Sequence, residues 1–250
     1  MFLAVFILPG IVIAIVAGAD FRTTDAGDAL ERATLVAEYA GERLQAARDG
    51  ARLPDPPALL ADQVDLQLAL GGTLLSQAVL LGAVGILSKQ SFSELTQTFR
   101  MRRYSFDAIW RPALAVLAAY LMVAGYAWLM DVLDIGFLQP SSTVPDEITR
   151  DRLTLSLAAV VILVGAPLSE ELFFRGFVFS GLLRWGFWPA ALVSGLLFTV
   201  FHLDPGSLIP FTLIGVLLAW LYYSRGSLLD SITFHYLFNF ASFMLLLASA

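Results

Sequence analysis

The sequence predicts an all-α, polytopic transmembrane helix bundle of about seven spans, and three observations carry that prediction. Of the 250 residues 58% are hydrophobic and 14% charged, with a mean hydropathy of +0.76, whereas a soluble chain averages roughly 25% charged. The apolar residues gather into runs of about 20, the length at which a helix crosses a bilayer core. The polar residues gather too, mostly into residues 20–63 and two loops.

Composition also sets exclusions. The chain has no cysteine, so disulfides and thiolate metal sites are excluded. The formal net charge of −6 comes largely from the polar stretch and the loops. It supplies no basic stripe, so no nucleic-acid partner is expected.

The first span is Phe2–Ala19. Ala17-Gly18-Ala19 resembles a signal-peptide cleavage site, but no Lys or Arg precedes the run and Pro9-Gly10 interrupts it. The missing positive n-region favours a retained anchor. In residues 20–63, Leu30, Ala33, Ala37, Leu44 and Ala47 recur at helical spacing. This predicts one surface helix, stopped by Gly50 and then Pro54-Asp55-Pro56-Pro57. Its mixed charge reads as a solvated face. Residues 1–63 thus form an anchor plus polar insert, and residues 64–250 the bundle.

The remaining spans are Val64–Leu87, Ala108–Leu133, Leu153–Leu183, Phe187–Leu203, Leu208–Tyr223 and Leu228–Ala248. The fourth span, Leu153–Leu183, has 31 residues, more than an untilted crossing needs, and Gly165 and Pro167 mark where it kinks or breaks. The loop after the second span carries Lys89, Arg100, Arg102, Arg103 and Arg111 against Glu94 and Asp107. The loop after the third carries Asp131, Asp134, Asp146, Glu147 and Asp151 against Arg150 and Arg152. The basic excess places the first of these loops, and with it the N-terminus, in the cytoplasm, and residues 20–63 outside.

Ionisable residues within spans are costly and usually face a partner or a water-filled cavity. The fourth span holds Glu170-Glu171-Leu172-Phe173-Phe174-Arg175. Glu171 and Arg175 are four apart, on one helix face, with the acid first. Glu170 points about 100° away and has no partner in its own helix. That suggests a structural role for Glu171 and a chemical one for Glu170; a purely structural ion cluster is the competing reading. The two histidines of the chain are His202, after Phe198-Thr199-Val200-Phe201, and His235, at the head of His235-Tyr236-Leu237-Phe238-Asn239. Phe198 would pack beside the His202 ring. His235 and Asn239 share a face and can donate hydrogen bonds toward a common point, or act as an interhelical clamp.

Depth argues that these groups meet. Glu170 lies 14 residues from Arg184 and His202 lies 14 from Trp188, about 21 Å above the inner helix ends. His235 lies ten residues from Arg225, at about 15 Å. The levels agree within a turn plus tilt.

In this order, on consecutive apolar helices, E-E-x-x-x-R, F-x-x-x-H and H-x-x-x-N resemble the CPBP family (CAAX protease and bacteriocin processing, also called Abi). This is a family of intramembrane proteases that includes the type II CAAX prenyl proteases. The resemblance covers about residues 150–245. It implies that Glu170 activates water as general base with help from His202. It implies that Glu171 and Arg175 hold the helix geometry, and that His235 and Asn239 form an oxyanion hole. The substrate would be a membrane-associated or lipid-modified protein or peptide, met within membrane lipid. Family members are often called metalloproteases, yet no H-E-x-x-H signature occurs. Two mechanisms stay open: one with no cofactor, and one with a divalent metal such as zinc on Glu170, His202 and His235. A proton-coupled transporter using the same groups as a relay and a non-catalytic scaffold or immunity-type protein are the competing functions.

Overall fold

The computed structural model describes residues 63–89, 91–99, 101, 109–140, 144–202 and 204–249. From the polar stretch it describes 38, 41, 42, 45, 46, 48–51 and 54. The predicted first span lies outside the described residues. Among the described residues every regular element is helical and none is a strand. We label the helices α1 (Gln63–Ser88), α2 (Phe92–Thr98), α3 (Trp110–Val132), α4 (Arg152–Trp185), α5 (Phe187–Val200), α6 (Leu208–Arg225) and α7 (Leu228–Ser249). Five of them, α1, α3, α4, α6 and α7, are long and apolar enough to cross a membrane. Their outward faces expose Leu75, Ile86, Leu114, Leu121, Trp128 and Leu245, an apolar surface suited to lipid rather than water.

The fifth predicted span differs. Phe187–Leu203 was expected to cross, but α5 has only 14 residues and ends at Val200, about 21 Å of helix against a core of about 30 Å. The His202 amide bonds Thr199 O at 2.9 Å, tightening the last turn. Asp204 then accepts from the Gly206 amide at 3.2 Å and from the Ser207 hydroxyl. His202 therefore sits on a turn just past a helix end. In the polar stretch the described positions up to Asp49 are helical. Gly50, at φ +68°, ends them as expected, with Ala51 N bonding Ala46 O at 2.9 Å.

α4 is the axis of the bundle, and it is not a uniform α-helix. It runs α over Arg152–Val160, π over Val161–Gly165, α over Ala166–Glu170 and π over Glu171–Phe179. The first π turn explains the expected break. Ala166 N reaches back five residues to Val161 O. Pro167, next in the ladder, has no N–H to continue it. Each π turn takes up an extra residue and so rotates the following side chains around the axis; such turns gather at functional sites.

Around α4 the packing is aromatic and close. Phe173, Phe174 and Leu172 of α4 meet Leu80 and Val84 of α1, Leu95 of α2, Phe99 and Phe198 of α5 in one buried cluster. α5 and α6 touch backbone to backbone: a Cβ on Gly215 would lie 2.6 Å from Gly195 Cα, and one on Gly195 would lie 2.8 Å from Thr212 O. Only glycine permits that approach. α7 packs against α3 and α4, carrying His235 and Asn239 to the axis.

Candidate active site

The acid pair divides as its spacing predicts. Glu171 and Arg175 are fully buried, and Arg175 Nη1 donates to Glu171 Oε1 at 2.9 Å. The guanidinium lies 4.5 Å over the Phe198 ring and 5.9 Å over Phe174, and Nη2 donates to Gly215 O at 3.4 Å. A planar cation over an aromatic face and paired with a carboxylate is the arrangement that makes a buried arginine tolerable. Glu170 turns the other way. Its side chain is 21% exposed, it lines a cavity, and its Oε2 has no hydrogen-bond partner.

The histidines approach from two other elements. His202 Nδ1 lies 2.9 Å from Phe198 O. A carbonyl only accepts, so Nδ1 carries the hydrogen and Nε2 of the neutral ring is left as an acceptor. Phe198 packs on the imidazole at 4.7 Å between centroids, and Phe211 meets it edge-on at 4.9 Å. His235 Nδ1 lies 2.9 Å from Glu171 Oε1, and its Nε2 is 4.0 Å from Glu170 Oε2. That second gap is too long for a hydrogen bond.

His235 and Asn239 do share a face, but their hydrogen bonds do not converge on one point. His235 turns Nδ1 to Glu171, and Asn239 Nδ2 donates to Ile162 O at 2.8 Å. The backbone explains the second bond. In an α register Ile162 O would receive Ala166 N–H, which goes to Val161 O instead. In a π register it would receive residue 167, a proline without N–H. Asn239 fills that gap with one amide hydrogen and keeps the other.

Glu170, His202, His235 and Asn239 all line one cavity of about 410 Å³. Glu171 and Arg175 lie behind it, buried. The cavity wall includes residues that spacing alone did not single out: Gln77 of α1, Tyr120 of α3 and Ser242 of α7. Tyr120 Oη donates to Phe238 O at 3.0 Å and sits 2.6 Å from Ser242 Oγ. Each is a polar side chain inside an apolar span, which was the available signal.

The zinc ligand set of Glu170, His202 and His235 is not assembled in this structure. Among the described residues no three His, Cys, Asp or Glu side chains come together to hold a metal ion. Two donors at about 2.0–2.2 Å from one tetrahedral zinc stand about 3.3–3.6 Å from each other; His235 Nε2 and Glu170 Oε2 are 4.0 Å apart, and Glu171 holds the other His235 nitrogen.

Residues 152–241 match a protein family described as type II CAAX prenyl endopeptidase Rce1-like. The match spans a little over a third of the chain and contains Glu170, Glu171, Arg175, His202, His235 and Asn239. It bears out the resemblance to the CPBP and CAAX protease family, which is a family of proteases. With five helices fit to cross a bilayer, the chain is an integral membrane protein. No curated protein and no solved structure matches it.

Proposed function

We propose that this relative of the type II CAAX prenyl endopeptidases is an intramembrane endopeptidase. It would hydrolyse peptide bonds of membrane-associated or lipid-modified substrates with a water activated by Glu170. The observation that carries the reading is Glu170 itself. It has a carboxylate oxygen without a hydrogen-bond partner, and its side chain lines a cavity that is also lined by His202, whose Nε2 is left as an acceptor.

The chemistry follows from the donors on hand. A water between Glu170 and His202 Nε2 gives a proton to the Glu170 carboxylate as its oxygen bonds to the scissile carbonyl carbon. The carbonyl oxygen takes up the negative charge. The second amide hydrogen of Asn239 meets that charge, joined by His235 Nε2 when that ring carries both protons, in a site walled by Val161, Phe238, Phe243 and Leu246; preorganised donors are worth most where water is scarce. The C–N bond then breaks, and the proton held by Glu170 passes to the leaving amine. Glu171 and Arg175 fix α4 beneath the reacting groups. No step needs a metal.

Cleavage of membrane-tethered peptides by the purified full chain in nanodiscs tests this, with wild type, Glu170→Gln and His202→Ala side by side, with and without a chelator. Wild type should cleave, Glu170→Gln should fall by about 10²–10⁴-fold, and the chelator should change nothing. A folded wild type that cleaves no peptide overturns the reading. Cleavage lost on chelation overturns the metal-free mechanism.

A further inference from the structure

Gln77 sits in the middle of α1, outside the segment that matches the protease family. It is 7% exposed and lines the same cavity as Glu170. Its Nε2 donates to Val161 O at 3.2 Å, while its Oε1 is buried without a partner and presses on Gly165. A Cβ at Gly165 would run into that oxygen. Burying an amide in a membrane span without satisfying both ends is costly, and Val161 O already accepts from Ala166 N–H. The Gln77 bond is therefore not needed to satisfy the backbone.

The amide does something more local. Val161 and Gly165 are the two ends of the π turn. Gln77 grips the first through its nitrogen and packs its oxygen against the second. Asn239 holds Ile162 O at 2.8 Å from α7. Two amides from helices on either side thus clamp the five residues that decide the rotation of Ala166–Glu170. If the π turn reverted to α-helix, everything after it would shift by one residue, about 100° around the axis, and Glu170 would leave the cavity wall.

We propose that Gln77 is a positioning residue for Glu170: it locks the Val161–Gly165 π turn and so sets the direction of the catalytic carboxylate. This rests on the proposed function for its catalytic consequence but not for its structural one. Gly165 is the matching half of the device, because a larger residue there would expel the Gln77 amide.

The test uses the full chain in nanodiscs with Gln77→Leu, which removes the amide, and Gly165→Ala, which displaces it. Two readouts are taken: cleavage kinetics, and hydrogen exchange of amides 161–171 by mass spectrometry. Each variant should lower kcat about tenfold or more with KM within about twofold, the pattern of an interaction lost only in the transition state. Each should speed exchange in 161–171 and leave α6 unchanged. Adding Gly165→Ala to Gln77→Leu should cost little further, because both act through one contact. Unchanged kcat and unchanged exchange in Gln77→Leu would overturn the proposal, as would a KM effect alone. Should Gln77→Leu fail to fold, Gln77→Met is read in the same way. If wild type does not cleave, the proposed function fails, and exchange alone decides whether Gln77 locks the turn.

Discussion

His235 Nδ1 meets Glu171 Oε1 at 2.9 Å, at the same oxygen that Arg175 Nη1 reaches at 2.9 Å. One buried carboxylate thus ties α7 to α4 and neutralises the guanidinium that lies over the Phe198 ring. Glu170 and Glu171 each have a second oxygen without a hydrogen-bond partner, but the Glu171 side chain is fully buried behind the cavity, whereas that of Glu170 is 21% exposed and lines it. The adjacent acids are separated in function by what each one touches.

Breaking the Glu171–Arg175 pair should be costly, and breaking it from both sides less so. Both side chains are fully buried, so removing one partner strands the other charge, at about 3–5 kcal/mol. Arg175→Met and Glu171→Gln should each lower the unfolding midpoint in detergent sharply. The double variant should recover part of the loss, since no unpaired charge remains. A double variant as unstable as the sum of the singles would show that the pair matters through packing alone.

The N-terminal end of α4 carries a pH-dependent contact. Asp151 caps the helix, accepting Thr154 N–H at 2.9 Å and Gln67 Nε2 of α1 at 3.2 Å. The Thr154 amide, before its hydroxyl and Gln67, holds the Asp151 carboxyl below the usual aspartate range, with desolvation opposing. A lowered carboxyl contributes stability above its unfolded value and loses it as pH falls through the native one. Wild type should therefore be more stable than Asp151→Ala at neutral pH, and the gap should close below about pH 4. Parallel thermal melts across pH check this; a gap that widens in acid would refute it.

Contacts within one helix were legible in the sequence, and contacts between helices were not. Glu171–Arg175 and Phe198–His202 are both four apart, so helical spacing placed them. His235 on Glu171 spans 64 positions and Asn239 on Ile162 spans 77. The candidates were recognisable by their polarity, but their partners depend on how α7 lies against α4. The early end of α5 was hidden because the apolar run of the sequence continues past Val200, while the backbone turns at Phe201 and His202. The π turns were hidden because α4 is apolar on several faces, so a rotation leaves the pattern unchanged; Gly165 and Pro167 marked only that something breaks there.

Asn239 has two jobs that can be taken apart. One amide hydrogen fills Ile162 O, whose backbone donors are lost to Val161 and to Pro167. The other is available to the oxyanion in the proposed mechanism. Asn239→Leu removes both and should cost about 1–3 kcal/mol for the stranded carbonyl, together with most of the cleavage activity. Pro167→Ala returns an N–H at the position where the π ladder would supply Ile162. Added to Asn239→Leu, it should restore the melting midpoint toward wild type and leave cleavage as low as before. If Pro167→Ala restores cleavage as well, Asn239 acts only as a clamp on the turn. If it restores neither, the bond from Asn239 to Ile162 does not hold the turn.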